Sequence, residues 1–316
     1  MARVFVTGGS GFIGRALLRR LVEDGQSVSA LVRSSEAAAT VALLGADPVL
    51  GRLDDASTYA SAASGCDVFF HLAAQTDLAA DRTAHVDVTV TGTKAALSAA
   101  ASASVPIFVH CGTEAALLAG DPLVEVDETA PLRPDSPAHY SATKAVAEQM
   151  VLSANGPNFR TTVVRPRFVW GPESSVIGAL VGLARNGEFA WVEGSHVRTD
   201  VTHVDNAVEG HLLAWYRGAG GQAYFITDDE RTDLRVFLTE QFEAYGVEVP
   251  TTDLTQEEAA AVIDVPFRWF FSQECTLVID KAKTQLGYFP VRQREEALVE
   301  LRRIHGVEGP SDSSGA

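Results

Sequence analysis

The stretch that most constrains this chain comes first: Val4-Phe5-Val6-Thr7 runs directly into Gly8-Gly9-Ser10-Gly11-Phe12-Ile13-Gly14. The short apolar run reads as a buried strand, and Phe12–Glu23, which follows, has helical spacing. The glycines satisfy both Gly-x-Gly-x-x-Gly from Gly9 and Gly-x-x-Gly-x-x-Gly from Gly8. A pyrophosphate needs backbone N–H groups that approach closely, a helix N-terminus facing its charge, and no Cβ in the way. Glycines at the turn, at the contact and at the helix–strand crossing meet those needs. A glycine-rich turn without a ligand is the plain alternative. The position after a strand and before an amphipathic helix favours a dinucleotide site.

The same alternation continues through the first half. Further apolar runs occur at Val28–Val32, Val68–His71, Ile107–His110 and Thr162–Arg165, separated by helical stretches at Phe12–Glu23, Ser35–Leu44, Thr83–Ser102 and Pro137–Ser153. Strand and helix in turn, with continuous rather than alternating apolar strands, predict an α/β fold with a doubly wound parallel sheet. After Trp170-Gly171-Pro172 the rhythm breaks, and aromatics gather at Phe267, Trp269, Phe270 and Phe271. The expected organisation is a dinucleotide-binding domain over 1–170, with 199–228 returning to it. A smaller, discontinuous C-terminal substrate domain spans 171–198 and 229–305, and 306–316 form a disordered tail of small polar residues.

Charge and composition narrow the partners. Against 25 Lys and Arg stand 41 Asp and Glu, a formal charge of -16, which repels nucleic acid and anionic membranes. No nucleic-acid partner and no membrane contact are therefore expected. Cys66, Cys111 and Cys275 are odd in number and lack a paired spacing, as in a reducing compartment. The chain opens without a leader-like segment, so the expected location is cytoplasmic. The eight histidines show no ligand spacing, and no metal site is expected.

A dinucleotide site selective for NAD carries an acidic residue at the end of the second strand, against the ribose hydroxyls. Here Arg33-Ser34 stands in that place, a guanidinium and a hydroxyl suited to a 2′-phosphate. NADP is the expected cofactor, with NAD possible; a solvated arginine at a strand end is the alternative.

Chemistry enters with Tyr140-Ser141-Ala142-Thr143-Lys144. Ser136-Pro137 upstream reads as a helix start, with Ser as cap and Pro in the first turn. On a helix, positions i and i+4 share one face, so phenol and ammonium reach one site. A free phenol titrates near 10. A neighbouring ammonium and an oxidised nicotinamide are together expected to pull it toward neutral pH, where it can exchange a proton. An exposed Tyr and Lys on an amphipathic helix is the alternative, and the dinucleotide motif upstream weighs against it.

These pieces together resemble the extended short-chain dehydrogenases/reductases over almost the whole chain. The resemblance rests on Thr7–Gly14, His71-Leu72-Ala73-Ala74, Gly92-Thr93, Tyr140–Lys144, Val164-Arg165-Pro166 with Trp170-Gly171-Pro172, and His203-Val204-Asp205-Asn206. The nearest look is to the 3β-hydroxysteroid dehydrogenase-like and dihydroflavonol reductase-like branches, through Gln222–Asp228, Asp280-Lys281-Ala282 and Leu286-Gly287-Tyr288. It implies a Rossmann fold and a catalytic set of Thr113, Tyr140 and Lys144, with Lys144 also on the nicotinamide ribose. Gly8, Gly11, Phe12, Ile13 and Gly14 would cradle the pyrophosphate. Arg33, Ser34 and Leu53 would lie by the adenosine half, and Leu72, Ala73, Ala74 and Pro166 along the nicotinamide half. Departures occur at Cys111 and Gly112, where serines are usual, at Arg52 in place of Asp, and at Thr89 in place of Asn. His203-Val204-Asp205 is implied to open a helix, without chemistry.

The implied activity is an NADP(H)-dependent interconversion of a ketone and a secondary alcohol on a mostly apolar small molecule, steroid-, flavonoid- or alkyl-ketone-like. Alternatives are a sugar-nucleotide epimerase/dehydratase, or a dinucleotide-sensing protein without turnover. The former usually carries Arg-Asp where this chain has Thr199-Asp200, with Arg198 one place early. The Phe267–Phe271 aromatics read equally as core or as a substrate wall. Helix Pro137–Ser153 carries Ala138, Ala142, Ala145, Val146, Gln149 and Met150, and helix Thr83–Ser102 carries Val86, Val90, Ala95, Ala96 and Ala99. That is more small and apolar surface than one buried stripe needs, and the resemblance implies that both helices pair across a two-fold axis in a homodimer.

Overall fold

The computed structural model describes residues 1–263 and 265–307. Seven strands form one sheet: β1 (Arg3–Thr7), β2 (Ser27–Val32), β3 (Asp47–Leu50), β4 (Val68–His71), β5 (Ile107–Cys111), β6 (Arg160–Pro166) and β7 (Gln222–Ile226). Their spatial order is β7-β6-β5-β4-β1-β2-β3, and every neighbouring pair is parallel. The order reverses between β1 and β4, so the connections leaving their C-terminal ends diverge and open a crevice there, the place where such sheets bind ligands. This is the doubly wound sheet expected. All four residues of β4 are buried, and in β1 only Arg3 is exposed, as continuous apolar strands require.

Two strands escape the periodicity reading. β3 is a four-residue edge strand carrying Pro48, whose missing N–H is tolerated only at an edge. β7 extends the sheet beyond β6 and belongs to the 199–228 segment expected to return.

Helices cover both faces. α1 (Phe12–Glu23), α2 (Ser35–Leu43) and α5 (Val204–Arg217) bury Leu17, Leu18, Leu21, Val41, Val208 and Leu212 in one core cluster. On the other face, α3 (Gly92–Ser102) and α4 (His139–Ser153) contribute Ala96, Ala99, Ala100 and Val151 to a second, around Phe5, Phe69 and Phe108. A third cluster gathers outside the sheet, around Trp170, Trp191, Phe237 and Phe242.

Two helix boundaries differ from expectation. The helix expected over Thr83–Ser102 is a continuous helical run that widens to π geometry over Val86–Thr91. α4 begins at His139, two residues after Pro137: Ala138 is its N-cap and offers no side-chain bond. The Ser136 hydroxyl instead accepts the Ala138 N–H at 3.3 Å, so Ser136 shapes the approach to the helix rather than capping it. Of the expected tail, Gly306 and Val307 are ordered, with Val307 N–H bonded to Arg302, and 308–316 lie outside the described residues.

Candidate active site

The glycine loop shows why glycine is required. Gly8 has φ +77, and a Cβ there would meet the Ala73 backbone nitrogen at 2.6 Å, so the loop lies directly against Leu72–Ala73 beyond β4. A Cβ on Gly14 would run into the Gly8 carbonyl and Gly9, which lets α1 start hard against the turn. Gly11 is the exposed N-cap of α1, with no side-chain bond to its first amides, so those N–H groups, Phe12 and Ile13 among them, remain open to an anion. These residues fit a pyrophosphate.

Leu72, Ala73 and Ala74 follow β4 half-buried, with Leu72 N–H bonded to Thr7. Beneath them a buried clamp joins the two strands: His71 Nδ1 meets Thr7 Oγ1 at 2.7 Å, and His71 Nε2 meets Thr93 Oγ1 at 2.9 Å. Burial drives this imidazole's pKa down to about 3, so it is a neutral strut. Thr89 accepts the Gln75 N–H at 3.1 Å, fastening the same loop. Leu53 packs beneath Gly92, and Pro166 ends β6, buried.

At the adenosine end, Arg33 stands exposed where β2 ends. The Ser34 hydroxyl accepts the Ala37 N–H at 3.3 Å as the cap of α2, which leaves its proton to donate. Arg52 is turned to Asp54 at 2.7 Å on the surface. Of the pair expected to receive a 2′-phosphate, Arg33 is the charged member.

Tyr140, Lys144 and Glu148 lie at successive i, i+4 positions of α4, which packs against β6 and the short helix that follows β5. Lys144 is buried, and its Nζ donates to the Cys111 carbonyl oxygen at 2.6 Å. One turn further on, Glu148 is fully buried and bonded to Arg165 of β6 at 2.9 Å, tying α4 to the sheet. Thr113, just beyond β5, accepts the Ala115 N–H at 3.2 Å as the cap of the short helix Glu114–Leu117. The short helix that it caps packs against α4. Gly112 is set by packing, since a Cβ would meet Val163 Cγ1 at 2.6 Å.

The phenol's electrostatics correct the expectation. Its pKa is raised rather than lowered, first by burial, then by the Glu114 carboxylate, with Thr113 pulling the other way. Burial also lowers the Lys144 pKa.

Glu114 and Arg167 are site residues that motif reading missed. Glu114 is buried; its Oε2 accepts the Thr113 hydroxyl proton at 2.8 Å, and its Oε1 accepts Arg167 Nη1 at 2.7 Å. The available signal was two arginines inside an apolar run, Val163–Phe168, which requires buried partners. Phe270 lies under the Arg167 guanidinium at 4.7 Å and against Phe168 at 4.5 Å, whereas Phe271 is core beside Phe189. The aromatic group therefore divides, with Phe270 toward the site. His203 caps α5 through the Asp205 N–H at 3.2 Å, the structural part expected of it. Thr199 Oγ1 meets Arg167 Nη2 at 3.3 Å, and the Asp200 carboxylate accepts the Leu277 N–H, so the Thr199-Asp200 register is committed internally. Among the described residues no cluster suited to a metal ion occurs.

The sequence profile of the 3-beta hydroxysteroid dehydrogenase/isomerase family matches residues 5–255. The chain belongs to that family. A Stigmatella aurantiaca relative, 4-hydroxy-2-methyl-3-oxo-4-farnesyl-3,4-dihydroquinoline-1-oxide ketoreductase, is 42% identical, covering 95% of this chain and 96% of its own. The 2-alkyl-3-oxoalkanoate reductase of Stenotrophomonas maltophilia is 30% identical over 95% and 98%. A dTDP-glucose 4,6-dehydratase double mutant from Streptomyces venezuelae, crystallised with NAD, superposes with a TM-score of 0.80 at 21% identity, covering 95% and 96%, a likeness of fold alone. This member of the 3-beta hydroxysteroid dehydrogenase/isomerase family is an extended short-chain dehydrogenase/reductase, an oxidoreductase acting on CH–OH groups. The ketoreductase relatives favour that activity over sugar-nucleotide epimerisation.

Proposed function

We propose that this chain is an NADP(H)-dependent ketoreductase whose substrate is a mostly apolar ketone with an alkyl branch beside the carbonyl. The two relatives named above act, by their names, on 2-methyl-3-oxo and 2-alkyl-3-oxo compounds, and that shared unit defines the class. The observation that carries the reading is Lys144 of α4 anchored at the end of β5, with Tyr140 one turn before it and Thr113 capping the short helix that packs on α4, one strand from the crevice between β1 and β4.

A bound nicotinamide supplies the hydride in reduction and accepts it in oxidation. The protein's part is position and proton. Tyr140 gives its phenolic proton to the carbonyl oxygen in reduction and takes it back in oxidation. Thr113 holds that oxygen once its O–H rotates away from Glu114. Lys144, anchored on the Cys111 carbonyl, orients the ribose. Gly8, Gly11, Phe12, Ile13 and Gly14 hold the pyrophosphate, Leu53 the adenosine, and Leu72, Ala73, Ala74 and Pro166 line the nicotinamide path. NADP preference rests on Arg33 as the charged member of the pair, with the Ser34 proton beside it and Glu36 in the same turn as opposing negative charge. Residues 1–170 with 199–228 form the dinucleotide domain, and the cluster around Trp170, Trp191 and Phe237 is the centre of the substrate domain. A cytoplasmic homodimer completes the proposal.

Tyr140→Phe tests it. Ketone reduction followed at 340 nm should fall by about two to four orders of magnitude, with cofactor affinity nearly unchanged. Turnover retained in that variant would end the assignment.

A further inference from the structure

Five non-glycine residues among those described have a left-handed backbone, and Phe168, at φ +35, is the only apolar one. A bulky side chain is strained there, whereas glycine adopts such a turn freely. The strain is held in place by the surrounding backbone. Arg167 N–H donates to Thr202 Oγ1 at 3.0 Å, and the Phe168 carbonyl accepts the Thr202 N–H. The ring meets Phe270 edge-on at 4.5 Å and Phe237 at 5.7 Å.

These rings grade from core to opening. Phe237 and Trp170, 5.5 Å apart, are fully buried at the back. Phe168 and Phe270 are only half-buried. On the β5–β6 pair Cys111 stands opposite Val164, so the chain leaving β6 through Pro166 to Phe168 emerges beside the chain leaving β5 to Thr113. Phe270 reaches the same place from the other domain. Its ring lies 4.7 Å from the Arg167 guanidinium, and Arg167 holds Glu114, the neighbour of Thr113. The helix Val265–Ser272, which bears Phe270, is fastened at its end by Gln273 Nε2 donating to the Gly120 carbonyl at 2.6 Å. The half-open pair thus borders the site, with packed aromatic core behind it.

We propose that Phe168 and Phe270 form the wall that receives the hydrocarbon arm of the substrate, and that Phe168 keeps its strained backbone for that contact. The proposal rests on the reading of the substrate as a mostly apolar ketone. Two edge-on rings offer dispersion contact and no hydrogen-bonding group, so they favour methylenes over a charged or polyhydroxylated arm. The one charge at their edge, Arg167, is already paired with Glu114. Each carbon laid along the wall adds to binding until the two rings are covered.

The test compares two ketones, ethyl 2-methyl-3-oxobutanoate and ethyl 2-methyl-3-oxodecanoate, with the full chain and NADPH. The parent should show the higher kcat/KM for the longer ketone, and Phe168→Gly should lower the long-to-short ratio by about tenfold. A residue that only packs the fold would lower both values by one factor and leave the ratio unchanged, which would overturn the proposal. If Phe168→Gly does not fold, Phe270→Ala, at the other half-buried ring, is read by the same ratio. Calorimetric binding of the longer ketone with NADP+, which cannot reduce it, supplies a readout without turnover. There too Phe168→Gly should bind about tenfold more weakly than the parent, and equal affinity would overturn the wall. Weaker binding by the variant, with neither ketone reduced by the parent, would instead leave the wall standing and end the ketoreductase reading.

Discussion

At the residue scale, what was legible followed from backbone geometry. The glycines at 8, 11 and 14 could be placed because a missing Cβ has a local cause that spacing reveals. The pair Tyr140 and Lys144 could be read because helical periodicity puts i and i+4 on one face. Glu114 and Arg167 could not, since they are 53 positions apart and meet only when β5 and β6 pair. The sequence also gives the wrong direction for the phenol: the ammonium is visible along the helix, whereas the burial that raises the phenol, and after it the Glu114 carboxylate, are not. Arg33 carries the prediction at this scale. Arg33→Ala should weaken NADP binding far more than NAD binding, because only NADP loses a charge-assisted contact. Fluorescence titration with both cofactors reads the ratio; equal loss would make Arg33 a plain surface residue.

At the element scale, strand runs buried on both faces announced the sheet, while the edge strand β3 stayed hidden behind Pro48 and its exposed residues. The two Ala-rich helices were expected to have surplus apolar surface, and part of that surplus is internal. Ala96 and Ala99 on α3, Ala145 on α4 and Ala138 at its N-cap are buried within the chain itself. What stays half-open is Val86, Val90 and Ala95 on one run and Ala142, Val146 and Met150 on α4, two helices that pack side by side. Such a shared strip suits a two-fold contact with a second copy. Light scattering at micromolar protein should give twice the chain mass; one chain mass at every concentration would exclude the dimer.

For the whole molecule, buried histidines dominate the response to acid. Burial lowers His71 to about 3, and His203 and His211 to about 4, with His110 also held well below its ordinary value. Unfolded, each titrates near 6.5. The unfolded chain therefore binds more protons across the window between, and stability present above about pH 6.5 is lost as pH falls. Asp228 opposes this. Burial raises it to about 6, so the folded state holds that proton as pH drops toward the carboxylate's ordinary range. Burial raises Asp200, Glu128 and Glu240 as well, in the same opposing sense; the four imidazoles outweigh them, and stability should fall by about 2–4 kcal/mol per pH unit near pH 5.5. Urea unfolding at stepped pH measures this; stability level between pH 7 and 5 would contradict the neutral-histidine account.

The central claim, that this chain moves hydride between a nicotinamide and a carbonyl carbon, is tested most directly by isotope transfer. The protein is incubated with C4-deuterated NADPH and ethyl 2-methyl-3-oxobutanoate, a small ketone of the proposed class, and the products are examined by NMR. Deuterium bound to carbon 3 of the resulting alcohol, in one configuration at that carbon, is the predicted result. An alcohol without deuterium at that carbon, or no reduced product from this ketone and its longer 2-alkyl homologues, would contradict it.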